Sequence, residues 1–326
     1  MKNSVEISHL EKSFSLSKGT FFKRVREQLR AVDDISLSVP TGQSVAFIGP
    51  NGAGKSTTIK MLTGILKPTG GQVSVLGLTP WLDRENLSRK IGVVFGQRSQ
   101  LWYHLPPSDS FELLSRIYDL DRKRYIARRD FLIDKFKIES FLTTQVRRLS
   151  LGQRMRAEIA ASLLHEPEIL FLDEPTIGLD VVARQELRDL IRSWNRENGL
   201  TIFLTSHDAG DIESVAERVV VVNHGRIVLD DSVTCLRRDY LRSKLVRVVF
   251  HDAPRPFDHD GVRVLEWSDH KALLEVNLDR ASIQTVIDLV LVAGSVADIT
   301  IEDPPLEEVI AHIYSAPKEA DLKEVS

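Results

Sequence analysis

Cysteine is almost absent from this sequence, and long hydrophobic runs are absent altogether. The one cysteine among 326 residues is Cys235, which excludes an internal disulfide framework and a cysteine-based zinc site. The best apolar candidates, at 200–205 and 286–293, fall far short of the ~18–20 residues that a membrane-spanning helix needs. The N-terminal residues lack the apolar core of a signal peptide. We therefore expect a protein of a reducing compartment that is soluble by itself and reaches a membrane only through a partner.

A strong excess of one charge is also missing. The 43 Lys and Arg against 46 Asp and Glu give a net charge of −3, which excludes a globally basic nucleic-acid binder but leaves a local basic patch open. With 18 Gly and 13 Pro, the chain does not have the composition of a collagenous or low-complexity protein. At about 150 residues per domain, its length favours two domains with ordinary hydrophobic cores.

Short apolar runs alternate with helical patterns over the first part of the chain. Runs rich in Val, Ile, Leu and Phe are typical of strands covered on both faces of a parallel sheet. Such runs lie at 44–48, 91–95, 169–172, 201–205 and 219–222, with polar-edged strands at 5–7 and 35–39. Helical spacing occurs at 56–63, 108–120, 122–135, 151–164 and 181–195. The alternation predicts an α/β core with a mostly helical insert at about 101–150.

The pattern changes near residue 236. A charged link is predicted at 237–242, and it is followed by short strands and helices that indicate a small α+β domain. The strands are predicted at 245–250, 262–267, 272–276 and 296–302, and the helices at 281–293 and 306–314. We thus expect domains at 1–236 and 237–316, with a flexible, charged tail at 317–326.

A phosphate-binding loop stands between a predicted strand and a predicted helix. The segment 49–56 fits the pattern G-x-x-x-x-G-K-[ST], whose glycines allow backbone N–H groups to curl around phosphate oxygens at a helix N-terminus. Lys55 is expected to reach the β- and γ-phosphates, and Ser56 to hold Mg²⁺. The residues predicted to bind the nucleotide here are Gly49, Pro50, Asn51, Gly52, Ala53, Gly54, Lys55, Ser56 and Thr57.

Two carboxylates follow the apolar strand at 169–172. Asp173, at the strand end, is placed to hold Mg²⁺ through a water. Glu174 is placed to act as the general base or to orient the attacking water. The alternative is an acidic strand-to-loop transition without chemistry.

Further motifs, in order along the chain, carry a family resemblance. The segment Leu-Ser-Leu-Gly-Gln-Arg at 149–154 resembles the LSGGQ signature of ATP-binding-cassette (ABC) ATPases. Gln97, at a strand end, is similar to the Q-loop glutamine of that family. The segment ending at Asp180 resembles the D-loop, and His207 the switch histidine. Phe14 stands where the family places an adenine-stacking aromatic residue. The resemblance covers about residues 1–235, and Leu151 replaces a glycine of the signature.

The resemblance implies a P-loop ATPase of ABC type with a mixed sheet core, an antiparallel β edge and a helical subdomain. In this family two cassettes dimerise head to tail, with each ATP between the phosphate loop of one copy and the signature of the other. It implies that Ser150, Gly152 and Gln153 bind ATP and that Asp180 crosses the dimer interface. It also implies that Gln97 senses Mg²⁺, and that His207 contacts the γ-phosphate and positions Glu174.

The resemblance further implies a membrane transport role, with a separate permease as partner. The chain as a whole resembles bacterial cassettes of multidrug- and antibiotic-exporter systems, which operate on the inner face of the cell membrane. Leu101, Trp102 and Tyr103 are either a partner site or a cap on the core of the insert. The basic stretch 18–30 is either a solvated loop or a contact for anionic lipid or the permease.

Other classes of P-loop protein fit less well. A soluble ABC ATPase of translation or DNA repair is the main alternative. Translation-type members usually carry two cassettes in one chain, whereas this sequence has one phosphate loop. Repair-type members carry a long coiled coil in the insert, and no sustained heptads occur here. The resemblance of 149–154 and of His207 to ABC motifs argues against a kinase or GTPase. We expect no nucleic-acid partner.

Overall fold

The computed structural model describes residues 2–18, 25–96, 99–240 and 243–303. The chain divides into two compact units, Met1–Asp231 and Ser232–Ser326. The division falls at 231, whereas the sequence pattern placed it at 236. The charged link predicted at 237–242 is helical over much of its length, because helix α8 (Val233–Tyr240) extends into it. The predicted helix at 306–314 and the tail at 317–326 lie outside the described residues.

The first unit contains the strands β1 to β8 and most of β9. In chain order the strands are β1 (Asn3–Lys18), β2 (Val25–Pro40), β3 (Ser44–Ile48), β4 (Gly70–Val75), β5 (Ile91–Phe95), β6 (Ile169–Asp173), β7 (Thr201–Ser206), β8 (Arg218–Asn223) and β9 (Arg226–Ser232). Six of them form a sheet in the order β5-β6-β7-β3-β8-β9. The pairings from β5 through β8 are parallel. Strands β2-β1-β4 form a separate antiparallel sheet. The predicted mixed architecture is confirmed.

Helices cover the six-stranded sheet. They are α1 (Lys55–Leu62), α2 (Arg84–Ser88), α3 (Pro107–Ile117), α4 (Arg122–Lys135), α5 (Leu151–Ser162), α6 (Val181–Asn198) and α7 (Ala209–Val215), with short 3₁₀ helices at Glu139–Phe141 and Val146–Arg148. One core packs α1 and the antiparallel strands against one set of sheet side chains, Phe47 and Phe171 among them. A second core packs α3 to α6 against others, including Leu170 and Leu172. Because neighbouring residues of one strand point to opposite faces, the sheet is buried on both sides.

Residues 101–103, at the start of the helical insert, differ in how far they are exposed. Leu101 is 4% exposed and belongs to the core of the insert, whereas Trp102 and Tyr103 are 40% and 52% exposed. The interpretation as a core cap therefore holds for Leu101 alone. The two aromatic side chains remain available on the surface. Residues 19–24 of the basic stretch at 18–30 lie outside the described residues.

In its described residues, the second unit contains helix α8 and an antiparallel sheet against which helix α9 packs. Its strands are β10 (Ser243–Phe250), β11 (Val262–Trp267), β12 (Lys271–Asn277) and β13 (Val296–Glu302), in the order β11-β12-β10-β13. Helix α9 (Ile283–Ala293) contributes Val286 and Val290 to a core with alternate residues of β10 and β12. Across the described ranges of both units, no helix is long and apolar enough to cross a membrane.

A half-buried histidine, His165, joins the insert to the sheet. His165 Nε2 lies 2.9 Å from the carbonyl oxygen of Ile91, and its ring stacks on Tyr118 with centroids 4.0 Å apart. Because a carbonyl only accepts, the proton is on Nε2, and Nδ1 is buried without a hydrogen-bond partner among the described residues. Burial lowers the pKa of His165 to about 4.

His165→Phe should therefore reduce the loss of stability on acidification. Between the ordinary pKa of 6.5 and the folded value of about 4, the unfolded state binds more protons, so stability is lost as pH falls through this window. The effect amounts to about 2 kcal/mol at about pH 5. In urea unfolding at about pH 7.5 and about pH 5, the variant should lose about 2 kcal/mol less than wild type, while exposed His104→Phe should match wild type. An equal pH dependence in His165→Phe and wild type would contradict this assignment.

Candidate functional site

The phosphate loop leaves the carboxyl end of β3 and enters α1. Gly52 and Gly54 adopt left-handed φ values of 83° and 103°, which glycine tolerates at no steric cost. A Cβ at Gly54 would lie 2.4 Å from the carbonyl oxygen of Ala31. The N-cap position of α1 has no side-chain hydrogen bond. Within the described residues, no capping side chain therefore competes for the backbone N–H groups of its first turn, which suits phosphate binding at a helix N-terminus.

Lys55 is folded back along the loop. Its Nζ donates to the carbonyl oxygens of Gly49 at 2.7 Å and Pro50 at 3.2 Å, and the residue is 6% exposed. Burial lowers the pKa of Lys55, and the nearby charges of Glu174 and Asp173 oppose this shift. The lysine thus places its ammonium group inside the loop and near both predicted carboxylates.

Asp173 ends β6 and contacts the start of α1. Its Oδ1 accepts from Ser56 Oγ at 3.2 Å and from Thr205 Oγ1 at 2.6 Å. The Ser56 contact joins the two residues predicted as metal ligands. Sequence reasoning missed Thr205. Thr205 can bond Asp173 because the β6–β7 register places the two residues opposite each other. No local sequence motif indicates this contact.

Glu174 takes a left-handed conformation, with φ of 53°. Its N–H donates to the carbonyl oxygen of Thr205 at 3.0 Å, and Gly96 packs so closely that a Cβ there would lie 2.3 Å from the Glu174 carbonyl oxygen. The backbone is thereby fixed on two sides. The Glu174 Oε1 lies 3.6 Å from His207 Nδ1, with side chains 19% and 59% exposed. The two residues predicted to be catalytic are therefore neighbours.

Lys55, Asp173 and Glu174 line a cleft of about 580 Å³, and His207 stands next to Glu174 without lining it. Phe14 and Leu29, which pair across β1 and β2, form an apolar part of its wall. Lys12 Nζ stands 5.3 Å from the centroid of the Phe14 ring, in the range of a cation–π contact. The lining of the cleft comprises Phe14, Leu29, Ala31, Asn51, Gly52, Gly54, Lys55, Ser56, Thr57, Lys60, Ile65, Phe95, Gly96, Asp173 and Glu174.

The predicted signature residues cap α5 and do not line this cleft. Ser150 Oγ accepts from the Gln153 N–H at 3.2 Å, and Gln153 Oε1 accepts from the Ser150 N–H at 3.0 Å, which is a reciprocal capping box. Gly152 packs against α6, where its added Cβ would lie 2.9 Å from Ala183 Cβ. Leu151 points toward Gly178 and the core of its own unit, so its side chain leaves the Ser150 hydroxyl uncovered.

Asp180 is likewise absent from the cleft and caps α6. Its Oδ1 accepts from the Ala183 N–H at 2.9 Å. Gln97, the predicted Q-loop residue, lies outside the described residues. One chain thus brings together the phosphate loop, Asp173, Glu174, His207 and Phe14, and leaves Ser150, Gly152, Gln153 and Asp180 elsewhere on its surface.

The fold and the site together identify the class of protein. A parallel sheet delivers a glycine-rich loop and two carboxylates at the carboxyl ends of β3 and β6, next to a helix N-terminus. This is the arrangement of a P-loop nucleoside triphosphatase.

Comparisons with known proteins narrow the class. The sequence profile of the ABC transporter family matches residues 32–177. The chain is 31% identical to the daunorubicin/doxorubicin resistance ATP-binding protein DrrA of Streptomyces peucetius, over 90% of this chain and 91% of that one. It is 32% identical to the bacitracin transport ATP-binding protein BcrA of Bacillus licheniformis, over 71% and 75%.

A solved structure agrees with the sequence relatives. The dimeric ATP-binding cassette MJ0796, in a post-hydrolysis state with ADP and Pi, superposes with a TM-score of 0.62 and 26% identity, and it covers 70% of this chain and 98% of its own. The chain therefore belongs to the ATP-binding proteins of the ABC transporter family, and it is an ATP-binding ATPase.

Proposed function

We propose that this chain is the ATP-hydrolysing subunit of an exporter-type ABC transporter and works with a separate permease at the inner face of the cell membrane. The observation that carries the proposal is the similarity to DrrA, which extends over nine-tenths of both chains and so includes the second unit. DrrA and BcrA are named for drug resistance and bacitracin transport, which supports export. In this proposal the first unit is the nucleotide-binding domain and the second unit, from residue 232, is an accessory domain, because the boundary expected at 236 would divide helix α8.

ATP would lie in the cleft, with its adenine on Phe14 and its phosphates in the loop. The apolar wall at Phe14 and the buried ammonium of Lys55 suit the two ends of that ligand. Ser56 and Asp173 present oxygen atoms 3.2 Å apart, a donor set that fits Mg²⁺. These two residues, and Gln97 by family resemblance, would hold the ion. Bound there, Mg²⁺ would neutralise charge on the β- and γ-phosphate oxygens.

Glu174 is the proposed general base, with His207 as its partner. The hydrogen bonds and close packing around Glu174 fix its backbone. The position of the carboxylate therefore depends on the fold as well as on the side-chain rotamer. His207, 3.6 Å away, would orient the carboxylate and contact the γ-phosphate. Preorganised groups of this kind reduce the reorganisation needed in the transition state.

A second cassette would complete the site. Ser150, Gly152, Gln153 and Asp180 do not line the cleft of their own chain, so their proposed binding roles require the cleft of a second copy or of a related chain. The start of α6, immediately after Asp180, exposes Val181 and Val182 at 80% and 71%. Neighbouring apolar side chains with this exposure suit burial against another protein.

Trp102→Ala should weaken association with the permease and leave the basal ATPase activity unchanged. The exposed indole would lose its contact with the partner, and alanine substitution of a tryptophan at an interface hot spot lowers affinity by at least about tenfold. The measurement is affinity purification of the tagged chain from detergent-solubilised membranes, with quantification of a co-purifying protein that has several membrane-spanning helices. Phe131→Ala, which removes an aromatic residue of similar exposure at 46%, is the matched control.

Two results would contradict the transporter proposal or its docking site. Recovery of the wild-type chain only with ribosomes or DNA would contradict a transport role. Equal recovery of the permease by Trp102→Ala and wild type would remove Trp102 from the proposed docking surface.

A further inference from the structure

Two arginines and two aspartates form a balanced ionic cluster beside the loop that carries His207. Arg184 and Arg188 stand one turn apart on α6, whereas Asp208 caps α7 and Asp211 lies in its first turn. The side chains of Arg188 and Asp211 are 11% and 1% exposed. Charges buried to this extent require close pairing, because an unpaired one would carry a large desolvation cost.

Arg188 bridges the two carboxylates of the cluster. Its Nη2 donates to Asp208 Oδ1 and its Nε to Asp211 Oδ1, each at 2.7 Å. Arg184 Nη1 donates to the other oxygen of Asp208 at 2.6 Å. Gly210 provides the room, because a Cβ there would lie 2.7 Å from Arg188 Nη1. The planar guanidinium thus fixes the relative positions of α6 and the start of α7.

The cluster anchors both neighbours of His207. On one side, Ser206 Oγ donates to Asp211 Oδ2 at 2.7 Å. On the other side, the Asp208 N–H donates to Ser206 Oγ at 3.0 Å, and the Asp208 carboxylate accepts from the Gly210 N–H at 2.9 Å. The backbone on either side of His207 is therefore held, while the imidazole itself extends toward Glu174.

The same cluster anchors the loop between Glu174 and Asp180. The hydroxyl of Thr176 hydrogen-bonds Asp211 Oδ2, and Arg184 Nη2 donates to the carbonyl oxygen of Leu179 at 3.2 Å. Asp211 thus accepts hydrogen bonds from Thr176, in the loop after Glu174, and from Ser206, the last residue of β7 before His207. Movement of either loop would have to break a buried hydrogen bond to this one carboxylate.

We propose that Asp211 is a positioning residue: through Ser206 and the Arg188–Asp208 pair it holds His207 beside Glu174 and ties it to the loop that ends in Asp180. The proposal rests on the catalytic role proposed for His207. It gives the cluster a function in hydrolysis, beyond the stability that any satisfied buried network supplies. A positioning residue acts only through the group it positions, and this property distinguishes the two roles.

A double-mutant cycle of Asp211→Asn with His207→Ala tests the proposal. The measured quantities are kcat and KM for ATP of the purified full chain. In the wild-type background Asp211→Asn should lower kcat about tenfold and leave KM within about twofold, because binding groups are untouched. In the His207→Ala background the same change should lower kcat by less than about twofold, since there is nothing left to position.

Asp189→Asn is the matched control for the charge removed. Asp189 lies on the same α6 and is exposed, so its substitution should leave kcat unchanged in both backgrounds. Circular dichroism and thermal unfolding check the fold of every variant. If Asp211→Asn does not fold, Gly210→Ala takes its place in the cycle, because it keeps every charge and displaces the Arg188 guanidinium.

The outcomes separate the two roles. The positioning proposal would be overturned if the losses in kcat were additive in the double variant. It would also be overturned if the cluster variant used in the cycle, Asp211→Asn or Gly210→Ala, had the kcat of wild type by itself. A wild-type kcat for His207→Ala would overturn both this proposal and the role of His207. Co-purification with a permease is a separate measurement, so a failure of the transporter proposal would be recognised independently.

Discussion

Glu174→Gln should bind ATP as tightly as wild type and hydrolyse it about 100-fold to 10,000-fold more slowly. The amide keeps the size of the side chain and can still hydrogen-bond, but it cannot take a proton from water. Because the phosphate loop is unchanged, ATP should persist in the site, and the ATP-loaded variant should accumulate as a dimer. The measurements are single-turnover hydrolysis, nucleotide binding, and light scattering after size-exclusion chromatography with and without ATP.

Glu168→Gln provides the control for this prediction. Glu168 is just ahead of β6, has a side chain 53% exposed and pairs with Lys90 at the surface, where an ion pair contributes little to stability. Its substitution should leave hydrolysis unchanged. A Glu174→Gln variant that turns over ATP like wild type would show that Glu174 is not the base. If the Glu174→Gln variant stays monomeric with ATP, even when related cassettes are supplied, the proposal that two cassettes share each ATP site is wrong.

Lys55→Ala should lower the affinity for ATP by about 30-fold or more, because loss of one partner from a close, desolvated charge pair costs about 2–5 kcal/mol. The variant also loses the two hydrogen bonds from Nζ to the loop carbonyls, so the loop loses an internal support. Equilibrium binding of a fluorescent ATP analogue measures the affinity.

Lys60→Ala separates the specific contact from the general charge of the cleft. Lys60 lines the same cleft from α1 but stands outside the loop and is exposed. It should alter binding by no more than about threefold, as expected for a solvent-screened charge. Equal losses for the two variants would mean that the cleft binds ATP through its overall charge and that Lys55 has no special contact.

The sequence predicts best where a feature is local. Neighbouring residues alone specify the phosphate loop, the carboxylate at the end of β6 and the helix at Arg122–Lys135. Strands β3, β5, β11 and β13 also have the predicted bounds. The signature serine also caps its own helix, as its place before Gln153 indicates. Family resemblance supplies the roles of residues that the chain does not bring together, such as Asp180.

The elements that the sequence pattern missed depend on partners elsewhere. Strand β4 begins with two glycines, which read locally as a turn, but Gly71 lets β4 approach β1 so closely that a Cβ would lie 2.1 Å from the carbonyl oxygen of His9. Strand β9 follows a turn in which His224 and Gly225 both have positive φ. In α8, Leu236 is fully buried, although the charged residues after it suggested a link. Thr205 and the Asp211 cluster likewise arise only when strands and helices are assembled.

The capping box at the start of α5 determines how its serine is presented. Ser150 uses an oxygen lone pair to accept the Gln153 N–H, so the hydroxyl proton takes no part in that bond. Leucine at 151 has fewer backbone conformations in the unfolded chain than the glycine of the usual pattern, and its side chain is packed inward. In the proposed dimer, a phosphate oxygen would meet a serine whose turn is already held by two hydrogen bonds with Gln153, so less ordering entropy would be lost on contact.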